Sequence, residues 1–197
     1  MDSQNITHTE LVSALLKPGE KIMEYINPER CNAFHLCLGL AGEVAEIMET
    51  YSSWEYCKHE MNKENLIEEF GDLMFYMEGV RQFLFMEKDK LESKIRDMGN
   101  CEDCQCSIGF NFTSLIIDSG SIIDVIKKWA VYNEPIHITN LVKIETGLAS
   151  LYYRIDCILH QIGINKNEII ENNITKLKKR YPKMSYSDND AQKRADK

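Results

Sequence analysis

The chain has 197 residues, which is enough for one well-filled core or for two small units packed together. Its formal net charge is −8. This acidic balance argues against a general nucleic-acid binder, so no nucleic-acid partner is predicted.

The start of the chain and its cysteines indicate a compartment. The first ten residues, MDSQNITHTE, are polar and lack the basic-then-apolar order of a signal peptide. No apolar run is expected to reach the length that crosses a bilayer, so no membrane partner is predicted. Seven cysteines, an odd number scattered through helical patterns, fit reduced thiols. A cytoplasmic protein is therefore expected.

Charge is placed unevenly along the chain. Residues 172–197 hold eight Lys or Arg against three Asp, leaving 15 of the 23 basic and 28 of the 31 acidic side chains elsewhere. A basic segment of this kind is typical of a solvated tail, and it also offers cations to an anionic ligand. Both interpretations stay open from charge alone.

Helical periodicity dominates, and the chain has only four prolines, so the predicted fold class is all-α. Thr9 is expected to cap a first helix that turns Leu11, Ala14 and Leu15 inward. The segment Lys17-Pro18-Gly19 should interrupt or bend this helix.

Two longer helices and a connector follow in chain order. One helix is predicted from Pro28 toward Trp54, and another from Lys63 to about Met86. Glycines, acids and cysteines then break the pattern in GNCEDCQCSIGFNF, which predicts a connector over residues 99–112. Helical spacing resumes after it.

The second half of the chain is similar to the first. Aligning Gly42 with Gly120 sets AGEVAEIMETY beside SGSIIDVIKKW, and aligning Gly71 with Gly147 sets IEEFGDLMFY beside KIETGLASLY. Two separate segments thus recur in the same order, which predicts two tandem repeats.

Only two of the four carboxylate positions of the first repeat carry a carboxylate in the second. The aligned pairs are Glu43 with Ser121, Glu46 with Asp124, Glu69 with Glu145, and Asp72 with Leu148. The second repeat is therefore predicted to be degenerate.

The four acids of the first repeat have a spacing that suits a metal. Glu43 and Glu46 are three residues apart, as are Glu69 and Asp72, and this spacing puts both members of a pair on one helix face. If the two helices pack together, four carboxylates converge, and a divalent cation would neutralise them. All-oxygen ligands favour Mg²⁺, with Mn²⁺ as an alternative.

These segments resemble a known family. GLAGEVAE and IEEFGDLMFY, with 22 residues between Glu46 and Glu69, are similar to the E-x-x-E then E-x-x-D signature of MazG-like nucleoside triphosphate pyrophosphohydrolases. NNITKLKKRYP is similar to that family's terminal helix, which supplies basic and polar groups to the nucleotide. The resemblance implies an all-α enzyme that hydrolyses a (deoxy)nucleoside triphosphate, (d)NTP, to the monophosphate and pyrophosphate.

The chain also departs from the family pattern, because a degenerate repeat separates the acids from the basic helix. We therefore expect two repeats packed as a pseudo-dimer with one composite site, and a further homodimer is left open. The predicted units are residues 1–98 with the metal acids, 99–112 as connector, 113–185 as the degenerate repeat with the basic helix, and 186–197 as a polar tail.

The resemblance assigns roles to the basic helix. Lys176, Lys179 and Arg180 would contact phosphate oxygens, although a charged helix end explains them equally well. Asn172 would hydrogen-bond sugar or base, although a helix-surface position with no role explains it equally well. Tyr181 would stack on the base, although aromatics at helix ends more often simply pack. Among the acids, Glu46 is the alternative candidate for orienting the attacking water rather than binding metal.

Other interpretations remain open. An all-α dUTP pyrophosphatase has a similar site design, and a non-catalytic nucleotide-binding or scaffold protein is the rival outside the enzymes. Cys101, Cys104 and Cys106 have the spacing of half a zinc site, but free thiols are favoured because no second pair is evident. His35, before the acids, is interpreted as a core histidine.

Overall fold

The computed structural model describes residues 6–196, and all regular structure within them is helical. The all-α prediction is confirmed. The helices are α1 His8–Leu15, α2 Gly19–Met23, α3 Pro28–Glu55, α4 Lys63–Phe83, α5 Lys88–Asp97, α6 Ile108–Tyr132, α7 Ile138–Ile162, α8 Lys166–Arg180 and α9 Asp188–Lys193, with a 3-10 turn at Cys101–Asp103.

Four long helices form two helical pairs around one core. Helix α3 packs against α4, α6 packs against α7, and the two pairs meet mainly where α3 contacts α6. Apolar side chains at spacings of three and four residues line these contacts, as a buried helix face requires. The fully buried ones include Leu40, Ile47, Phe70, Leu73, Met77, Phe112, Leu115, Ile122, Leu148 and Leu151.

Helix α8 reaches back across the chain and packs on α4. A glycine sits at this contact: a Cβ added to Gly71 would lie 3.0 Å from the Cβ of Asn173. Because Gly71 has no side chain, the two helices approach closely. This approach brings the basic helix beside the acids of α4.

The start of α1 differs from the prediction. Thr7, not Thr9, is the N-cap: its hydroxyl accepts a hydrogen bond from the Glu10 backbone N–H at 3.3 Å, and its own N–H donates to the Glu10 carboxylate at 2.8 Å. The capping box decides the boundary because it satisfies donors at both ends of the turn. The predicted break at Lys17–Gly19 is confirmed, since α1 ends at Leu15 and α2 begins at Gly19.

The predicted inward face of α1 is also wrong. Leu11, Ala14 and Leu15 are all exposed, and α1 has no buried residue. The apolar side chains of α1 are spaced as predicted, but nothing within residues 6–196 buries them.

The two boundaries around the connector shift by a few residues. Helix α4 ends at Phe83 rather than near Met86, and α6 begins at Ile108, so residues 108–112 of the expected connector are helical. The Ser107 hydroxyl accepts a hydrogen bond from the backbone N–H of Phe110, which starts the helix inside the predicted connector.

Helix α6 corrects the expectation about apolar runs. Within residues 6–196 it is the one helix long and apolar enough to cross a membrane by length and composition, with a mean hydropathy of 1.2 in its most apolar stretch. Core helices meet the same criteria, and 39% of that stretch is buried inside the protein, so this is weak evidence of a span.

Candidate active site

A cleft of about 730 Å³ lies beside α3, α4 and the end of α8. Its remaining wall is formed by the residues after α8, here called the strap (residues 181–196). The side chains lining the cleft include Glu43, Glu46, Glu68, Glu69, Asp72, His35, Phe75, Tyr76, Arg180, Tyr181, Tyr186 and Arg194. Acidic, aromatic and arginine side chains therefore line the same cleft.

Three carboxylates meet within this cleft. One ligand oxygen from each of Glu43, Glu69 and Asp72 lies within 4.8 Å of the others, although they come from two helices. Glu43 and Asp72 are half-buried and Glu69 is buried. Glu46 also lines the cleft, but it is exposed and stands outside the group of three.

The acids raise one another's affinity for protons. Burial, then the charges of Asp72, Glu46 and Glu69, raises the pKa of Glu43 to about 8. Burial and neighbouring acids also raise the pKa of Glu69, although its hydrogen bond with Glu43 opposes this shift. At neutral pH Glu43 therefore holds a proton, which it shares with Glu69.

Asp72 differs from the other two because α8 supplies it with partners. The Asn173 side-chain amide donates a 2.7 Å hydrogen bond to one carboxylate oxygen, and the Lys176 ammonium donates to the other. Lys176 also forms an ion pair with Glu68 at 3.3 Å. Among residues 6–196, no ion pair involves Glu43 or Glu69.

This donor set fits a hard divalent cation. The three groups offer only oxygens, which Mg²⁺ and Mn²⁺ prefer. Two of the three carboxylates have no basic partner within the described chain and repel each other when ionised, so a cation would replace the shared proton.

The structure separates the predicted nucleotide-binding residues into two groups. Arg180 and Tyr181 line the acidic cleft. Asn172, Lys176 and Lys179 instead line a neighbouring cleft of about 630 Å³ on the other side of α8. Lys176 still reaches Asp72, but Asn172 and Lys179 are not brought together with the acids.

Sequence reasoning included Tyr181 but missed the aromatic residues that α4 contributes to the cleft. Tyr76 follows Asp72 by four residues and so shares its helix face, a signal that was present in the sequence. His35 is exposed rather than part of the core, and its ring meets that of Tyr76 edge-on with centroids 5.7 Å apart. It precedes Glu43 by eight residues, about two helical turns, which also places it on the same face.

The second half of the chain has no matching acidic group among the described residues. Asp124 is partly exposed and pairs with Lys128 at 2.7 Å, and Glu145, whose side chain is only 12% exposed, pairs with Lys90 and Lys94. Both acids therefore already have basic partners, unlike Glu43 and Glu69 within residues 6–196.

The cysteines of the connector meet one from α7. Cys104 lies in hydrogen-bonding contact with the thiols of Cys106 and Cys157. Burial raises the pKa of Cys104, but its hydrogen bonds outweigh this and lower the pKa to about 7. No three thiols among the described residues lie within 4.8 Å of one another, so the half zinc site suggested by Cys101, Cys104 and Cys106 is not completed here.

The arrangement can bring an anionic ligand and a divalent cation together. Carboxylates stand on the α3 and α4 side of the cleft, and two arginines stand on the side of α8 and the strap. Such opposition suits a ligand whose negative oxygens bind a cation on one side and guanidinium groups on the other.

Comparisons with models of known protein families, with curated proteins and with solved structures found no match to this chain.

Proposed function

We propose that this protein is a metal-dependent pyrophosphohydrolase that converts a (d)NTP to the monophosphate and pyrophosphate. One observation carries the proposal: the carboxylates of Glu43, Glu69 and Asp72 converge, and two of them lack a basic partner within residues 6–196. Burying acids without compensation is costly, so a site that keeps them has a use for a cation.

The roles of the acids follow from their positions. Glu43, Glu69 and Asp72 would hold Mg²⁺ or Mn²⁺, which when bound supplies charge neutralisation on the phosphates and a more acidic water. Glu46 lines the same cleft while staying exposed and outside the group of three. It is therefore free to orient the attacking water and accept its proton.

The cleft also supplies groups for the rest of the nucleotide. Arg180 can donate hydrogen bonds to phosphate oxygens, which a planar guanidinium does in a bidentate manner. Tyr76 and Tyr181 offer flat apolar surfaces to a base. These groups accept any base, so the proposal covers the triphosphate class and includes dUTP.

We further propose that the site is composite, built from the first repeat and from α8 after the second. Two contacts support this division: Asn173 and Lys176 of α8 both bind Asp72 of α4, more than one hundred residues earlier in the chain. The recurring sequence segments lie on α3 and α6 and on α4 and α7, which fits two repeats packed as a pseudo-dimer.

One contact favours a rival function. The Lys176 ammonium already neutralises Asp72 without any metal, as a protein that binds nucleotides without hydrolysing them could use it. The rival predicts nucleotide binding without turnover.

The test is a panel of individual NTPs and dNTPs incubated with purified protein and Mg²⁺, with products separated by chromatography. We expect equal amounts of monophosphate and pyrophosphate from at least one substrate, and loss of turnover in EDTA. Glu69→Gln and Asp72→Asn should each lower turnover by at least about a hundredfold, since even groups that only support metal ligands are worth about 10- to 100-fold. Release of orthophosphate alone, or turnover that survives EDTA, would contradict the proposal.

A matched control comes from the same helix. Glu49 lies three residues after Glu46 but is exposed and does not line the cleft. Glu49→Gln removes the same charge and should leave turnover within about twofold of the unmodified protein, as expected for a surface position.

A further inference from the structure

The strap returns to the acidic cleft instead of extending away as a polar tail. Helix α9, Asp188–Lys193, contacts α8, and the residues on both sides of α9 reach the cleft. The strap residues lining the cleft are Tyr181, Met184, Ser185, Tyr186 and Arg194. The strap thus forms part of the same space as the carboxylates.

Arg180 is held in place by the far end of the strap. Its Nε and one Nη donate hydrogen bonds of 2.8 and 2.5 Å to the two carboxylate oxygens of Asp196. The Asp196 side chain is only 1% exposed and the Arg180 side chain 17%, so solvent has limited access to this pair. Hydrogen bonding to Arg180 holds the pKa of Asp196 well below its usual range, and the pair stays ionised across the working pH range.

This pairing leaves donors for a ligand. A guanidinium has five N–H groups, and Asp196 takes two of them. A fixed guanidinium loses less conformational entropy on binding a phosphate than a mobile one. Asp196 can therefore position Arg180 for a ligand in the cleft.

Arg194 supplies a second cation to the same wall. It follows α9 with a backbone φ of +45°, and its N–H caps the helix by donating to the carbonyl of Asp190. Its side chain is exposed, lines the cleft and forms no ion pair within residues 6–196. An arginine facing an acidic cleft without a salt-bridge partner is available to an anionic ligand.

We propose that Arg180 and Arg194 form a binding site for the charged end of a polyphosphate, with Asp196 as the residue that positions Arg180. The proposal rests on the proposed function for the identity of the ligand as a triphosphate. It assigns a role to residues 186–196, for which the sequence alone indicated only a polar tail.

Binding of inorganic tripolyphosphate with Mg²⁺, measured by calorimetry, tests this site without requiring turnover. We expect Arg194→Ala to weaken binding at least about tenfold, and Asp196→Asn to weaken it about three- to tenfold, as the loss of charge-assisted contacts implies. Lys193→Ala is the matched control, because Lys193 is exposed, adjacent and outside the cleft, and it should bind like the unmodified protein.

A double variant separates positioning from direct contact. If Asp196 acts through Arg180, then Arg180→Ala combined with Asp196→Asn should bind no more weakly than Arg180→Ala alone. Asp196→Glu, which keeps the charge, should recover part of the affinity. Unfolding temperatures of all variants identify any that fail to fold, and Arg194→Ala, at an exposed position, decides the proposal even if Asp196→Asn unfolds.

The outcomes that overturn the proposal are distinct. Tighter binding by Asp196→Asn would mean that Asp196 competes with the ligand for Arg180. Equal binding by Arg194→Ala and Lys193→Ala would remove Arg194 from the site. If either of these results occurred while the unmodified protein still turned over a (d)NTP, the proposed function would stand without this site. If tripolyphosphate bound as expected but no (d)NTP were turned over, the site would be supported and the proposed function contradicted.

Discussion

The side-chain amide of Asn173 donates a 2.7 Å hydrogen bond to the carboxylate of Asp72 across the contact between α8 and α4. This bond fixes the orientation of the Asp72 carboxylate. Asn173→Asp replaces the donor with a second carboxylate at the same place, so the two acids should repel each other and disturb the cation site. We expect at least a tenfold loss of turnover with the preferred (d)NTP, measured at saturating Mg²⁺.

The control for this prediction lies earlier on the same helix. Asn167 is exposed near the start of α8, and Asn167→Asp makes the same chemical change away from the cleft. It should keep normal turnover, because an acid in the first turn suits the helix dipole. Equal activity of the two variants would contradict the role given to Asn173.

Two glycines on α3 provide a matched pair for the packing of Tyr76. A Cβ on Gly39 would lie 2.2 Å from the Tyr76 ring, whereas a Cβ on Gly42 would meet nothing within 4 Å. Gly39→Ala should therefore displace the ring from the cleft, destabilise the protein by about 1–3 kcal/mol and raise KM. Gly42→Ala should stabilise it by about 0.5–1 kcal/mol through helix propensity.

Thermal unfolding measures both effects, since 1 kcal/mol corresponds to about 2–4 °C in Tm for a chain of this size. We expect Tm to fall for Gly39→Ala and to rise for Gly42→Ala. A rise for both variants would mean that the Tyr76 ring moves aside without cost, and that its position in the cleft is not fixed by Gly39.

The pKa of Glu43 predicts a pH dependence of stability. It is 4.5 in the absence of the folded environment and about 8 in the folded protein. Between these values the folded state retains a proton that the unfolded chain has lost, so the free energy of unfolding should fall as pH rises from about 4.5 to 8. Above pH 8 this contribution should change no further.

Glu43→Gln isolates this effect, because the amide keeps a donor toward Glu69 but does not titrate. In EDTA, the difference in Tm between the variant and the unmodified protein should grow from pH 5 to pH 8. Mg²⁺ should stabilise the unmodified protein more at pH 8 than at pH 5, because the cation replaces the proton. Parallel Tm curves for the two proteins would contradict the assigned pKa.

The composite site predicts one bound nucleotide per chain. Asp124 and Glu145 form ion pairs with lysines and belong to no cluster of carboxylates among the described residues. Asp124→Asn and Glu145→Gln should therefore leave turnover nearly unchanged. A slowly hydrolysed triphosphate analogue titrated with Mg²⁺ should bind once per chain by calorimetry. Two equivalent nucleotides per chain would mean that the second repeat retains a site.

The helices and the acidic group could be predicted from the sequence because both depend on the spacing of residues a few positions apart. Three-residue spacing placed Glu43 with Glu46 and Glu69 with Asp72, and apolar periodicity placed both pairs on helices. The spacing could not show which acids meet: Glu43 joins Glu69 and Asp72, whereas Glu46 stays exposed.

The position of the strap could not be predicted in this way. Arg194 lines the cleft and Asp196 binds Arg180 because the chain reverses after α8, and no local sequence pattern specifies where a reversed segment packs. The exposed face of α1 shows the opposite case, because apolar spacing at Leu11 and Leu15 predicts a buried face only if a partner is present.

Binding of Mn²⁺ to the protein without nucleotide tests the central claim most directly. Electron paramagnetic resonance of free Mn²⁺ at pH 8 reports how much cation the protein retains, and Glu49→Gln serves as the control for loss of one charge. The account predicts that the unmodified protein and Glu49→Gln retain Mn²⁺, and that Glu69→Gln loses at least about tenfold in affinity. Equal retention by all three proteins, or none by the unmodified protein, would contradict a cation site at Glu43, Glu69 and Asp72.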